Sequence, residues 1–145
     1  MKRSMILEVC VQAEFHTLVL FSLFLLFAGH NQPGGGFAGG LVASSAFCLV
    51  YVAGGPGALR RSTKVPSHVL MGVGLLLAIS TGIISLALGH EFLETAILKA
   101  HLPFIGPAKT SSVLFFDTGV YLVVLGMVLM LLEQFGADEP AEVDA

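Results

Sequence analysis

Four apolar runs, at 9–28, 37–53, 69–88 and 113–132, occupy more than half of this chain and decide what it can become. Each is close to the ~17–25 residues that a helix needs to cross a hydrocarbon core of about 30 Å. Only helices and closed barrels satisfy their backbone hydrogen bonds in lipid, and continuous apolar runs lack the alternation of barrel strands. The expectation is an all-α integral membrane protein, a four-transmembrane-helix bundle. It forms one membrane domain over 1–145 with a short acidic tail at 134–145. Charge agrees: 12% of residues are charged, against about 25% in soluble domains, and the mean hydropathy is +0.88.

The opening "MKR" resembles the start of a signal peptide. Glu8, Gln12, Glu14 and His16 interrupt the apolar stretch behind it, and no small-residue cleavage site follows, so the reading is a retained helix. With four spans, Lys2, Arg3, Arg60, Arg61 and Lys64 share one side, against Lys99 and Lys109 on the other. That asymmetry predicts both termini in the cytoplasm. The tail "ADEPAEVDA" is polar and proline-containing, and is expected to be a frayed end. Cys10 and Cys48 fall at depths about 10 Å apart on these spans, too far for a disulfide.

Polar residues inside apolar runs are the candidates for function. Glu8, Gln12 and His16 recur at i, i+4, i+8 and share a helix face, with Glu14 elsewhere around the helix. Two readings stand: side chains that reach back to the headgroups, or a stripe along a proton or cation route. His16 and Glu14 lie deeper and are the stronger candidates. In the fourth run, Asp117 follows Ser112, a plausible N-cap, by just over one turn. Asp117 is either a carboxylate eased by the positive end of a helix or a protonatable, cation-attracting group facing the bundle interior.

The turn "GHNQPGGGFAGG" at 29–40 is rich in glycine and carries a proline. Pro33 suits the first helical turn, which puts Gly34, Gly35 and Gly36 at or just before the start of the second span. Gly35/Gly39 and Gly36/Gly40 are small-x-x-x-small pairs that admit a close neighbouring helix, with Phe37 as a bulky knob between them. Free N–H groups at a helix start also attract anions, and His30 and Asn31 set polar atoms beside them. Gly119 and Gly126, seven apart, mark another narrow face, and Gly72, Gly74 and "STG" at 80–82 do the same for the third span. "GGPGALRR" at 54–61 reads as a turn followed by cations, without the ending of a phosphate loop. "HEFLETAILKAHLPF" at 90–104 fits a short amphipathic surface helix.

Several classes are excluded. His30, His68, His90 and His101 show no metal-ligand spacing, so neither a metal site nor a cofactor is expected. No nucleophile–base pairing appears, so the chain is not an enzyme. With so few cations, nucleic acid is not a partner.

"GHNQPGGGFAGGLVA" at 29–43, together with "FDTGVYLVVLGMVL" at 116–129, resembles the B subunit of the Mrp-type (Mnh) multi-subunit sodium/proton antiporter. The same domain is similar to the end of that complex's large A subunit and to an antiporter-like subunit of membrane-bound hydrogenases. The resemblance implies a complex in the cytoplasmic membrane that exchanges internal sodium for external protons. It implies as partners large complex-I-like subunits and other small hydrophobic subunits. The small subunits are needed for assembly and activity, with a share in the sodium path as a further candidate role. His30, Asn31, Pro33, Gly34, Gly35, Gly36, Phe37 and Asp117 match the family pattern, whereas the polar residues of the first span do not belong to it. In such a complex the hairpin's proline and glycines, Gly39 and Gly40 included, and the Gly119/Gly126 face are expected to pack against other subunits' helices. The alternative is a stand-alone homo-oligomeric cation channel with Asp117 lining its pore.

Overall fold

A computed structural model describes residues 4–28, 35–87 and 111–137, and these form four helices. They are α1 (Met5–Ala28), α2 (Gly36–Ser62), α3 (Ser67–Ala87) and α4 (Ser111–Ala137). All four are long and apolar enough to cross a membrane.

Their side-chain distribution inverts that of a soluble bundle. Large apolar residues point outward: Ile6, Leu20 and Phe24 on α1, Val52 on α2, and Leu76 and Ile83 on α3. Lipid tails solvate such groups as well as a protein core does, so contact between helices has to come from close van der Waals packing. Small residues supply it. The buried stripe of α2 is Gly36, Gly39, Gly40, Ala43, Ser44 and Ala46, recurring at the three-to-four spacing of one helix face.

That stripe slots between α1 and α4, and α3 packs on α4 alone among the described helices. The spatial order of the described helices is therefore α1, α2, α4, α3, with α1 also reaching α4 behind the α2 stripe, and α4 is gripped from two sides. Its direction is legible from the glycines. Gly36 meets Asp117, Gly40 meets Tyr121 and Val124, and Gly136 meets Pro56, so α2 and α4 run parallel. Gly119 meets Gly74 and Ala78, and Gly126 meets Met71, so α3 and α4 run antiparallel. Leu26, Ala43, Leu59, Tyr121, Leu125 and Leu129 form the core along the α2–α4 seam. Phe15 of α1 and Phe47 of α2 join edge-to-face at 5.2 Å.

The second helix differs from its expected form. The "GGPG" segment kinks it, as a turn signal would, but a further helical stretch follows. Gly55 adopts φ 71 and ψ −174, a local break, and the chain resumes helical geometry through Ser62. Pro56 cannot donate to the carbonyl four residues back, so the ladder is interrupted there. The proline ring is nonetheless held by tertiary packing, because Gly136 of α4 leaves room for it. Thr63 then closes the helix, with its N–H and Oγ1 donating to the Leu59 carbonyl at 2.9 and 2.8 Å.

Candidate functional site

The clearest constellation lies where α2 begins. Gly35 holds φ 93, a backbone region that disfavours any residue with a Cβ. Its N–H donates 3.1 Å to the Leu25 carbonyl of α1, and its own carbonyl accepts from Gly39 at 3.0 Å. This corner turns the chain and starts the helix. The next residue, Gly36, lies against the backbone of α4: a Cβ there would strike the Asp117 carbonyl oxygen and stand 2.7 Å from its carbon. Only glycine lets the two backbones come this close.

That approach brings the Asp117 carboxylate to the start of α2. A Cβ on Gly35 would be 3.4 Å from Asp117 Oδ2 and 3.8 Å from Cγ. The first N–H groups of a helix have no intrahelical acceptor, and its macrodipole favours negative charge there by ~0.3–1 kcal/mol. The sequence alone offers Asp117 the positive end of its own helix or the bundle interior. The structure puts it about 9 Å along α4, which begins at Ser111, and beside the N-terminus of α2. Ser112 is the second residue of α4.

One turn further along α4, Tyr121 is buried and its hydroxyl meets Ser22 Oγ of α1 at 3.0 Å. Ser22 Oγ donates to the Val19 carbonyl at 2.8 Å, so Tyr121 is the donor of the pair. At the other end of α4, Glu133 Oε2 accepts from the buried Ser67 Oγ at 2.6 Å, at the first turn of α3. Sequence reasoning finds neither pairing. Glu133 lies just past the fourth apolar run, where a carboxylate looks like an ordinary helix end. Its only signal is a serine that follows a proline at another span's start.

The remaining candidates divide. Gly39 and Gly40 pack on Ser22 and Leu26 of α1 and on Tyr121 and Val124 of α4, while Gly119 and Gly126 pack on α3. The sequence offers all four for contact with other subunits; helices of this chain fill those faces. Phe37 is the exception among the packing residues, 61% exposed beside the Gly35–Asp117 corner. His16 lines a groove between α1 and α2 together with Glu8 and Gln12, and Glu14 does not line it. The His16 Nδ1 donates to the Gln12 carbonyl at 2.7 Å. His30, Asn31, Pro33 and Gly34, and the expected surface helix at 90–104, lie outside the described residues. Cys10 and Cys48 are unbridged. Among the described residues no three His, Cys, Asp or Glu side chains converge.

The family model described as a domain related to the MnhB subunit of Na+/H+ antiporters matches residues 6–130. The chain is 36% identical over 135 residues to the B subunit of a Na(+)/H(+) antiporter from Bacillus subtilis, covering 93% of this chain and 94% of that protein. It is 35% identical over 122 residues to the protein of the same name from Alkalihalophilus pseudofirmus, covering 84% and 85%. A putative antiporter subunit mnhB2 from Staphylococcus aureus is 31% identical over 131 residues, covering 90% and 93%. Four membrane-length helices and a match that runs through nearly all of them establish the same point: the chain belongs to the MnhB family of sodium/proton antiporter B subunits.

Proposed function

We propose that the chain is a multi-pass accessory subunit of a multi-subunit sodium/proton antiporter in the cell membrane, needed for assembly of the complex and with Asp117 acting in the cation path. It is a transporter subunit, not an enzyme. Both termini face the cytoplasm in this reading, on the charge asymmetry of the loops. Membership of the antiporter family across residues 6–130 is the observation that carries it. The partners are the large complex-I-like subunits and the other small hydrophobic chains, with lipid around the rest. The packing supports this role, since the described helices leave a broad apolar flank of α1 and of α3 uncovered. Phe37, exposed beside the Asp117 corner, is the side chain placed to insert into a neighbouring subunit.

Purification of the tagged subunit in mild detergent, with mass spectrometry of what comes along, tests the assembly. Large complex-I-like chains are the expected companions. Recovery alone, as a homo-oligomer that conducts cations in liposomes, would refute it in favour of the channel. For Asp117, Asp117→Asn in an assembled complex should impair sodium-dependent exchange. Normal exchange with unchanged sodium affinity would reduce the carboxylate to an anchor for α2.

A further inference from the structure

The polar stripe of α1 and the break in α2 meet. Glu8, Gln12 and His16 all line one groove of about 400 Å³, and Ala53, Gly54 and Ala58 line it from α2, on either side of Gly55. Glu8 lies three residues inside α1 and His16 eleven, so the groove runs from one membrane face to about 16 Å depth at ~1.5 Å per residue. Non-helical backbone at membrane depth persists only where it is buried in protein or lines a water-filled cavity. Gly55 is half-exposed, and its neighbour Gly54 lines this groove together with Ala53 and Ala58, which fits the second case. Water there also removes the cost of leaving a carboxylate, a carboxamide and an imidazole against lipid.

The chemistry of the lining selects the occupant. Among the described lining residues, Glu8 brings the one formal charge, Gln12 a carboxamide oxygen and Ser4 and Ser62 hydroxyls, and none is Lys or Arg. Oxygen donors around a single negative charge suit a hard monovalent cation. In discontinuous membrane helices the carbonyls at the break supplement such sites, and Pro56 leaves the Val52 carbonyl without its intrahelical donor. The His16 Nδ1 is engaged by the Gln12 backbone carbonyl.

We infer that the α1–α2 groove is a water-filled vestibule in which Glu8 and Gln12 bind a sodium ion entering from the membrane face where α1 begins. This rests on the cation-exchange reading above, and the test separates the two. In the intact complex, a carbodiimide modifies accessible membrane carboxylates, and mass spectrometry reads the peptide carrying Glu8. Sodium chloride should slow that modification and choline chloride at equal ionic strength should not. In everted membrane vesicles, Glu8→Gln should raise the half-saturating sodium concentration about tenfold, the order expected when an ionised ligand becomes neutral. Glu8→Asp should restore most of the affinity. Modification indifferent to sodium, or an unchanged half-saturation in Glu8→Gln, would overturn the vestibule. If Glu8→Gln does not assemble, the protection assay on the wild-type complex decides alone. Protection of Glu8 in a complex that exchanges no cation would refute the exchange reading and leave the site standing.

Discussion

Gly36→Ala should separate α2 from α4 at the corner that holds Asp117. The added Cβ falls on the Asp117 carbonyl oxygen and stands 2.7 Å from its carbonyl carbon and 3.0 Å from its Cα. Carbon atoms rest at ~3.5–4.0 Å, so the two helices must part by about 1 Å there. Backbone cannot rotate aside as a side chain can, and Gly40 on the next turn is tight as well, with Val124 Cβ 3.0 Å from its would-be Cβ. Overpacking of this kind costs ~1–3 kcal/mol, and two consecutive contacts on a rigid seam place Gly36→Ala near the top of that range. The control is Gly72→Ala on α3, where nothing lies within 4 Å of the new atom and alanine gains ~0.5–1 kcal/mol over glycine in a helix. Heating the detergent-solubilised subunit and measuring the fraction that stays monodisperse compares the two. Gly36→Ala should lower the midpoint by about 5 °C or more while Gly72→Ala does not. A Gly36→Ala protein as heat-resistant as Gly72→Ala would refute the close approach of α2 and α4.

Two further outcomes follow from the buried polar pairs. Tyr121→Phe should cost ~0.5–1.5 kcal/mol, read as the same midpoint shift, because Ser22 keeps its bond to Val19 and loses only the tyrosine donor. Ser22→Ala on top of it should then cost less than it does in the wild-type background, and full additivity would sever the pair. Ser67→Ala should destabilise the α3–α4 end by about 1.5–3 kcal/mol, as it removes a donor to the Glu133 carboxylate. Ser67→Thr, which keeps the hydroxyl, should recover most of that.

The sequence announces close contacts more readily than it names the contacting helix. Hydropathy places the four helices because lipid demands long apolar runs, and the small-residue pairs at Gly36/Gly40 and at Gly119/Gly126 correctly announce tight packing. A glycine pair carries no address, however. Read as sequence, these pairs suit any neighbouring subunit, and α1, α3 and α4 of this chain fill them. "GGPG" reads as a turn because local chemistry favours one. In the fold, the helix does break at Gly55, but Pro56 packs against Gly136 and helical geometry resumes to Ser62. Glu133 escapes sequence reasoning because its role depends on Ser67, sixty-six residues away in sequence.

The two carboxylates of α4 explain why an otherwise apolar helix retains them. Asp117 and Glu133 are sixteen residues apart, about 24 Å at ~1.5 Å per residue, close to the thickness of the hydrocarbon core. Each meets the start of a different neighbour, Asp117 that of α2 and Glu133 that of α3. The parallel pair α2–α4 sets like helix dipole ends side by side, an arrangement that a carboxylate at the start of α2 relieves. The antiparallel pair α3–α4 already has its dipoles opposed, so Glu133 adds a hydrogen bond to a buried hydroxyl rather than correcting a repulsion. Neutralising the two residues should therefore differ in kind. Asp117→Asn should loosen α2 in a salt-dependent way, because charge is what it loses. Glu133→Gln keeps an acceptor for Ser67 and should change little with salt. Equal salt dependence of the two variants' thermal midpoints would show that Asp117 holds α2 through hydrogen bonding rather than charge.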